Sequence, residues 1–77
     1  KLNMKEKASY YYRIAKDRLR RYPEDFQSYY YCGTSSEYIG KIEESYKYFL
    51  AGYKKYGTEY YRLPLEHIRR KRRFING

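Results

Sequence analysis

The side chains that most often serve as nucleophiles, bases or metal ligands are scarce in this sequence. Cys32 is the single cysteine and His67 the single histidine, and 35 positions separate them. Neither lies in a motif that would supply a catalytic partner, and a zinc site would need about four ligands. We therefore expect Cys32 to fill a small apolar position in a helix pair and His67 to lie on a basic helix.

Two pairs of adjacent acids are the remaining candidates for chemistry. Glu24 and Asp25, and likewise Glu43 and Glu44, stand at the predicted start of a helix, where the helix dipole favours negative charge. Their positions therefore have an explanation that involves no catalysis, and the sequence contains no glycine-rich phosphate-binding loop. We expect no catalytic, cofactor-binding or metal-binding residue, and hence no enzyme.

The densest run of charge is the tract "RRKRR" at residues 69–73. Consecutive cations on a helix repel one another, and nucleic acid, an inositol phosphate, an acidic protein face or a nuclear-import receptor would relieve that repulsion. The alternative is a basic helix that is solvated or that meets acidic residues elsewhere. The residues predicted to contact a polyanion or a partner are Arg62, Arg69, Arg70, Lys71, Arg72 and Arg73.

The 77 residues have a net charge of +9 that is spread unevenly. Residues 1–22 have a net charge of +6, residues 23–61 of −2 and residues 62–77 of +5. Fourteen residues are tyrosine, whose rings bury apolar area while their hydroxyls still need water or a partner. We expect one small folded unit that depends on neighbouring units for part of its stability.

Cysteine content and hydropathy limit the compartment. A single cysteine cannot form an internal disulfide, and no apolar run approaches the roughly 18 residues that span a bilayer. These features predict a cytoplasmic protein, with the nucleus as the alternative, and no membrane contact. The first methionine is Met4, and a helical pattern continues almost to Gly77, so we expect the sequence to be part of a longer chain.

The first helix is predicted over residues 3–22, because apolar groups recur there at steps of three and four. Asn3 and Glu6 have the spacing of a capping box at its start, and Pro23 follows its end. The residues on the apolar stripe are Met4, Ala8, Tyr12, Ala15, Leu19 and Tyr22.

The same spacing predicts a second helix from about residue 24 to 39 and a third over residues 41–56. Gly40 and Gly57 are expected to end these helices in the left-handed conformation. Because the connection between them is only about two residues long, the second and third helices should form an antiparallel hairpin.

Beyond Gly57 the helical pattern weakens. Thr58 is predicted to cap a short helix through Tyr61. Pro64 should interrupt that helix, because the residue before a proline avoids helical angles. A final helix is then expected over residues 65–75.

Gly33 lies inside the second helix, where glycine costs about 1 kcal/mol relative to alanine. The compensating gain would be close approach, since the third helix can then lie against the backbone of the second. Small and bulky side chains alternate along the facing stripes. The residues predicted to form this packing are Tyr29, Cys32, Gly33, Ser45, Phe49 and Gly52.

This spacing is typical of a tetratricopeptide repeat, a helical hairpin that stacks with others into an α-solenoid. The frame consists of Tyr29-x2-Cys32-Gly33-x2-Ser36, then Ser45-x3-Phe49, then Gly57. The prediction is an all-α fold in which the whole of residues 1–77 is one helical-repeat fragment. Residues 3–22 would be the second helix of a preceding repeat, residues 24–57 a complete repeat, and residues 58–77 the start of a following repeat.

Several short motifs go beyond a general repeat. They are Tyr22-Pro23-Glu24-Asp25-Phe26 followed by Tyr29-Tyr30, then Tyr53-Lys54-Lys55-Tyr56, and then Arg62-Leu63-Pro64-Leu65. With these motifs, residues 8–68 resemble the auxiliary subunit of the NatA amino-terminal acetyltransferase. Gly57, where the family tends to have proline, and the tract at residues 69–73 depart from the family pattern.

The resemblance implies a long helical-repeat scaffold that is not itself the catalyst. Such a subunit wraps and activates a separate catalytic subunit and docks it near the ribosome exit. The partners it implies are an acetyltransferase catalytic subunit and the ribosome with its RNA, beside neighbouring repeats of the same chain. Two other classes stay open: a basic helical module that binds RNA or another polyanion, and an unrelated repeat adaptor with a concave groove for short peptides.

Overall fold

The structure of the protein, a computed structural model, describes residues 3–76. It contains four α-helices, which are α1 (Met4–Arg21), α2 (Ser28–Tyr38), α3 (Ile42–Tyr56) and α4 (Glu59–Asn76). No strand occurs in the described range. The all-α class predicted from the sequence is therefore confirmed.

The helices follow one another as an open series and do not close into a bundle. Each packs chiefly against its neighbours in sequence, α1 on α2, α2 on α3 and α3 on α4. The molecule measures 37 × 33 × 15 Å, so its thinnest dimension is little more than a helix diameter of about 10–12 Å. Within the described residues, α1 and α4 each have a neighbouring helix on one side only.

Helix α1 has the predicted bounds to within one residue and the predicted capping box. The backbone N–H of Glu6 donates to Asn3 Oδ1 at 2.8 Å, and that of Asn3 donates to Glu6 Oε2 at 3.4 Å. These bonds satisfy N–H groups that the start of a helix leaves unpaired. On the predicted stripe, Ala8 and Ala15 are buried, whereas Met4 is exposed.

The predicted start of the second helix is wrong. Residues 23–27 form turns, and α2 begins only at Ser28. The Oδ1 atom of Asp25 accepts the N–H of Gln27 at 2.9 Å. An aspartate side chain bonded to nearby backbone competes with helix formation. Glu24 and Asp25 therefore lie outside the first turn of α2, and the helix dipole does not explain them.

The two glycines predicted to end α2 and α3 both have the left-handed conformation predicted for them. Gly40 has a φ of +86° and Gly57 a φ of +63°, and residues with a side chain rarely adopt such angles. At the opposite end of the hairpin, the rings of Phe26, just before α2, and Tyr56, at the end of α3, lie 4.8 Å apart between centroids. Helices α2 and α3 are therefore antiparallel.

Helix α4 is continuous, so the break predicted at Pro64 is wrong. Pro64 is the sixth residue of the helix, and a proline inside a helix costs about 3 kcal/mol. Burial outweighs this cost, because Tyr61, Leu65 and Ile68 lie one turn apart and are almost fully enclosed. Burying each such side chain contributes roughly 1.5–3 kcal/mol.

Candidate binding surfaces

The contact between α2 and α3 is built around Gly33. The carbonyl of Gly33 accepts the Ser45 hydroxyl at 2.7 Å. A Cβ atom placed on Gly33 would lie 2.5 Å from Cε1 of Phe49, which is closer than carbon atoms approach without overlap. The Phe49 ring therefore occupies the space that a side chain at position 33 would need.

The other residues predicted to pack between α2 and α3 also contact α1 and α4. Tyr29 is half-buried at the edge of the core. Cys32 is enclosed, and its thiol donates to the carbonyl of Ala15 on α1 at 3.1 Å. Gly52 lies against the ring of Tyr61 on α4. The small residues of the frame thus hold α1 and α4 onto the hairpin, in addition to joining its two helices.

Tyr61 is the largest fully buried side chain among the described residues, and the sequence did not single it out. Its side chain is 0% exposed, and burial raises its pKa to about 12. The Tyr61 hydroxyl donates to the Phe26 carbonyl and accepts the N–H of Tyr30 at 3.0 Å. Tyr30 is the third residue of α2, and the N-cap residue Gln27 makes no side-chain capping bond. A hydroxyl from α4 therefore caps the start of α2.

A signal for this core was present in the sequence. Tyr61, Leu65 and Ile68 follow one another at steps of four and three, which places them on one helix face. Pro64 lies between them and led to the prediction of two helices. The three residues form one cluster with Phe49 of α3, so α4 completes the core of the hairpin.

Cys32 and His67, the single cysteine and the single histidine, have different surroundings. His67 Nε2 lies 2.7 Å from Glu37 Oε2. Burial favours a higher pKa for Glu37, but hydrogen bonds from His67 and Lys71 outweigh burial and lower that pKa. Burial raises the pKa of the Cys32 thiol to about 11, so the reactive thiolate is scarce at neutral pH. Among residues 3–76, no three His, Cys, Asp or Glu side chains gather into a possible metal site.

Two cations of the tract at residues 69–73 are paired within the chain. Lys71 Nζ lies 3.2 Å from Glu37 Oε2, and Arg72 Nε lies 2.7 Å from Glu43 Oε2. The guanidinium of Arg72 also lies over the ring of Tyr46, 4.2 Å from its centroid. These contacts join α4 to α2 and α3, so Lys71 and Arg72 have a structural role.

The arginines of α4 are paired with acids in the first half of the helix and mostly unpaired in the second half. In the first half, Arg62 lies between Glu59 and Glu66, at 2.6 and 2.9 Å. In the second half, three arginines are exposed and form no ion pair within the described part of the chain: Arg69, Arg70 and Arg73. Phe74, beside them, is 90% exposed. Of the residues predicted to contact a polyanion, these three arginines are the ones available for it.

A groove of about 530 Å³ runs between α1 and α2, and we call it the α1–α2 groove. Most of its wall is apolar or aromatic, with Lys7 and Arg18 as its charged members. Its bulky side chains are Met4, Tyr11, Ile14, Tyr31 and Tyr38. The sequence did not predict this groove, because the stripe on the first helix was assigned to a single packed face.

None of the helices in residues 3–76 combines the length and the apolar character needed to cross a membrane.

Comparisons of the chain with protein-family models, with curated proteins and with solved structures each gave no match. The function is therefore inferred from the contacts of the chain and from the motif resemblance in residues 8–68.

Proposed function

We propose that the protein is a segment of a non-catalytic helical-repeat scaffold of the tetratricopeptide type, which acts by holding other proteins. The observation that carries this proposal is the contact around Gly33, where Ser45 and Phe49 pack at the spacing of the repeat frame. The open series of helices also supports it, because solenoid units contact only their neighbours.

The specific form of the proposal is the auxiliary subunit of an amino-terminal acetyltransferase. It rests on the resemblance of residues 8–68 to the NatA auxiliary subunit. In this form the scaffold works in the cytoplasm, holds a separate catalytic subunit, and docks it at the ribosome. The exposed arginines of α4 suit a surface rich in phosphate.

Affinity purification of the full-length protein from its own cells tests this proposal. We expect mass spectrometry to identify an acetyltransferase catalytic subunit together with ribosomal proteins. The variant Gly33→Leu, which cannot accommodate the Phe49 ring, should lose both, whereas Leu63→Gln, at an exposed position on α4, should retain both. Wild-type protein that recovers neither a catalytic subunit nor ribosomes would reject the acetyltransferase form.

A second candidate function is binding of RNA through α4. It is favoured by the three exposed arginines that lack an ion pair, at 69, 70 and 73. Each phosphate contact on single-stranded RNA adds about 0.7 to the slope of log affinity against log salt. Replacement of all three arginines by glutamine should therefore reduce that slope by about 2.

Fluorescence anisotropy with a labelled RNA of about 16 nucleotides, the upper end of one single-strand-binding module's site size, measures this slope. The matched control replaces Lys5, Lys47 and Lys54 by glutamine, which removes the same charge from exposed positions on α1 and α3. Arg72 is left in place, since its removal would also break the contact with Glu43. An unchanged slope in the arginine variant, or an equal change in the control, would exclude α4 as the RNA site.

A further inference from the structure

Helices α1 and α3 also touch each other, through a bond between Tyr12 and Glu44. The Tyr12 hydroxyl donates to Glu44 Oε1 at 2.5 Å, and Lys16 Nζ donates to the same hydroxyl at 3.3 Å. Lys41, the N-cap residue of α3, lies 3.7 Å from Glu44 Oε2. We call the surface along this contact the α1–α3 seam, and it comprises Arg13, Lys16 and Arg20 of α1 with Lys47 and Lys54 of α3.

The α1 side of the seam consists of cations. Arg13 and Arg20 lie three residues before and four residues after Lys16, so all three share one side of the helix. Arg20 is paired with Asp17 at 2.6 Å. Arg13 and Lys16 are exposed and form no ion pair within the described residues. The α1 side therefore has positive charge that no acid of the described chain neutralises.

The α3 side of the seam has the same character. Lys47 lies three residues after Glu44, and Lys54 lies two turns further along the same face. Both lysines are exposed and lack an ion pair in the part of the chain that the structure describes. Glu44 is already bonded to Tyr12 and Lys41, so it leaves these two lysines unneutralised.

A depression of about 670 Å³ opens at one end of the seam. Arg13 and Lys41 both line it, so cations from α1 and from the start of α3 surround one concave surface. The acid that also lines it, Glu6, accepts the N–H of Asn3 in the capping box of α1. The depression is therefore open to an anionic group.

The cations of the seam occupy equivalent positions of the repeat frame. A shift of 34 positions takes Arg13 to Lys47 and Arg20 to Lys54. Arg13 is exposed with α3 beside α1, and Lys47 is exposed with α1 beside α3. A neighbouring unit on either side of a hairpin therefore leaves this frame position at the surface, and the exposure of the seam does not depend on adjacent repeats.

The spacing of these cations indicates the form of the ligand. Arg13 and Arg20 are seven residues apart, as are Lys47 and Lys54, and seven residues span about 10.5 Å along a helix. Acidic side chains seven residues apart on a partner helix have the same spacing. An acidic helix that lies along the seam would therefore meet successive cations of α1 and α3 at matching steps.

Single-stranded RNA fits the seam less well than an acidic helix. RNA of this kind binds by stacking its bases on aromatic rings as well as through its phosphates. The Tyr12 ring is half-buried, and Lys16 lies over it, 4.9 Å from its centroid. Tyr10, which lines the depression, has its ring against that of Tyr11 at 5.7 Å between centroids. These rings have partners within the chain, so the seam offers charge more than stacking.

We propose that the α1–α3 seam binds an acidic helix of a partner protein. The proposal deepens the scaffold function and rests on it, since it names a surface and a class of partner for the scaffold. Acidic side chains of the partner helix meet Arg13 and Lys16 on α1 and Lys47 and Lys54 on α3. Because these charges are exposed, salt weakens the binding.

A labelled synthetic helix tests the proposal on the full chain. The probe is an alanine-based peptide with glutamates at steps of three and four, and fluorescence anisotropy at about 0.1 M salt follows its binding. Arg13→Glu and Lys47→Glu should each raise the Kd about fivefold, because each replaces an attraction with a repulsion.

Lys7→Glu is the matched control, because it makes the same change of charge at another exposed position of α1 that lacks an ion pair in the described range. Lys7 lines the α1–α2 groove and not the seam. Since a charge acts over only about 10 Å at this salt concentration, the control should leave the Kd within about twofold. A probe with glutamines in place of the glutamates should bind about tenfold or more weakly. Circular dichroism verifies that each variant keeps its helix content.

The proposal is overturned if Arg13→Glu and Lys47→Glu, both folded, bind the probe as the unaltered protein does. It is also overturned if Lys7→Glu weakens binding equally, or if the two probes bind alike. An RNA of about 16 nucleotides that binds more tightly than the probe, and no longer binds to Lys47→Glu, would assign the seam to RNA instead. Co-purification of a catalytic subunit with a full-length protein that fails to bind the probe would refute the seam assignment and leave the scaffold function intact.

Discussion

The two ends of the molecule enclose apolar side chains to different degrees. At one end, α4 lies on the α2–α3 hairpin and encloses Phe49, Tyr61, Leu65 and Ile68 in a single cluster. At the other end, α1 contacts the hairpin through small residues such as Ala15 and leaves the α1–α2 groove open. Because stability follows the apolar area removed from water, the α2–α4 end should be the more stable part.

The difference separates a filled part of the chain from a part that still exposes large apolar side chains. The α2–α4 end uses large rings that fill glycine positions, so it tolerates few substitutions. The groove end exposes large side chains above a base of alanines, so apolar area there is left uncovered within the described residues. Substitutions at matched residue types in the two regions therefore measure this separation.

The largest expected effect is that of removing the Tyr61 ring. Tyr61→Ala should lower the free energy of unfolding by about 3–5 kcal/mol, because it leaves a cavity among buried rings. Tyr38→Ala, at an exposed position in the groove, should change it by less than about 0.5 kcal/mol. Urea denaturation measures both. Similar losses in the two variants would mean that the two ends are equally important to the fold.

A smaller effect is expected at Gly33. Gly33→Ala gains about 1 kcal/mol in helix propensity but overpacks the Phe49 ring, which costs about 1–3 kcal/mol. We expect a net loss of about 1 kcal/mol, whereas Ser9→Ala, at an exposed position on α1, should cause no loss. When Phe49 is replaced by leucine, Gly33→Ala should lower the free energy of unfolding by less than it does in the unaltered protein. If the effects of Gly33→Ala and Phe49→Leu on the free energy of unfolding simply add in the double variant, the two residues are not in direct contact.

The hydroxyl of Tyr61 has its own expected contribution. Tyr61→Phe leaves the Tyr30 N–H and the Phe26 carbonyl without their partner, which should cost about 1–2 kcal/mol. Hydrogen exchange should also show faster exchange of the Tyr30 amide. Tyr10→Phe, which removes an exposed hydroxyl on α1, should change neither quantity. An unaltered Tyr30 exchange rate in Tyr61→Phe would show that the hydroxyl does not cap α2.

The smallest expected effect is a pH dependence from Glu37. Its pKa is lower in the folded protein than in the unfolded chain, where it is about 4.3. The unfolded state therefore binds more protons, so this stabilisation is complete above the unfolded pKa and is lost as the pH falls through the folded pKa.

Urea denaturation at a series of acidic pH values measures this contribution. Glu37→Gln should flatten the stability profile there by less than about 1 kcal/mol. Glu24→Gln, which alters a well-exposed carboxylate, should leave the profile as it is. A steeper profile in Glu37→Gln would reverse the sign assigned to the His67 and Lys71 contacts.

The predictable parts of the fold were those decided by local spacing. Helices α1 and α3 follow from steps of three and four, and Gly40 and Gly57 follow from the backbone conformation that a helix end requires. The start of α2 was misplaced because the side chain of Asp25 bonds to its own turn. The continuity of α4 through Pro64 depends on burial against α2 and α3, which no local window contains.

The candidate sites were less predictable than the fold. The tract at residues 69–73 is visible in the sequence as five cations. Its division into paired and available members depends on Glu37 and Glu43, about thirty positions away. The α1–α2 groove depends on how α1 and α2 are placed against each other. Such features require the register between helices, which composition and periodicity leave undetermined.

The cap that Tyr61 places on α2 has a consequence for how the chain can be divided. A cut after Gly57, where α3 ends, would delete the hydroxyl that holds the first turn of α2. The α2–α3 hairpin is therefore completed only by α4, the helix that follows it. During synthesis, this hairpin would therefore be finished only when α4 has emerged.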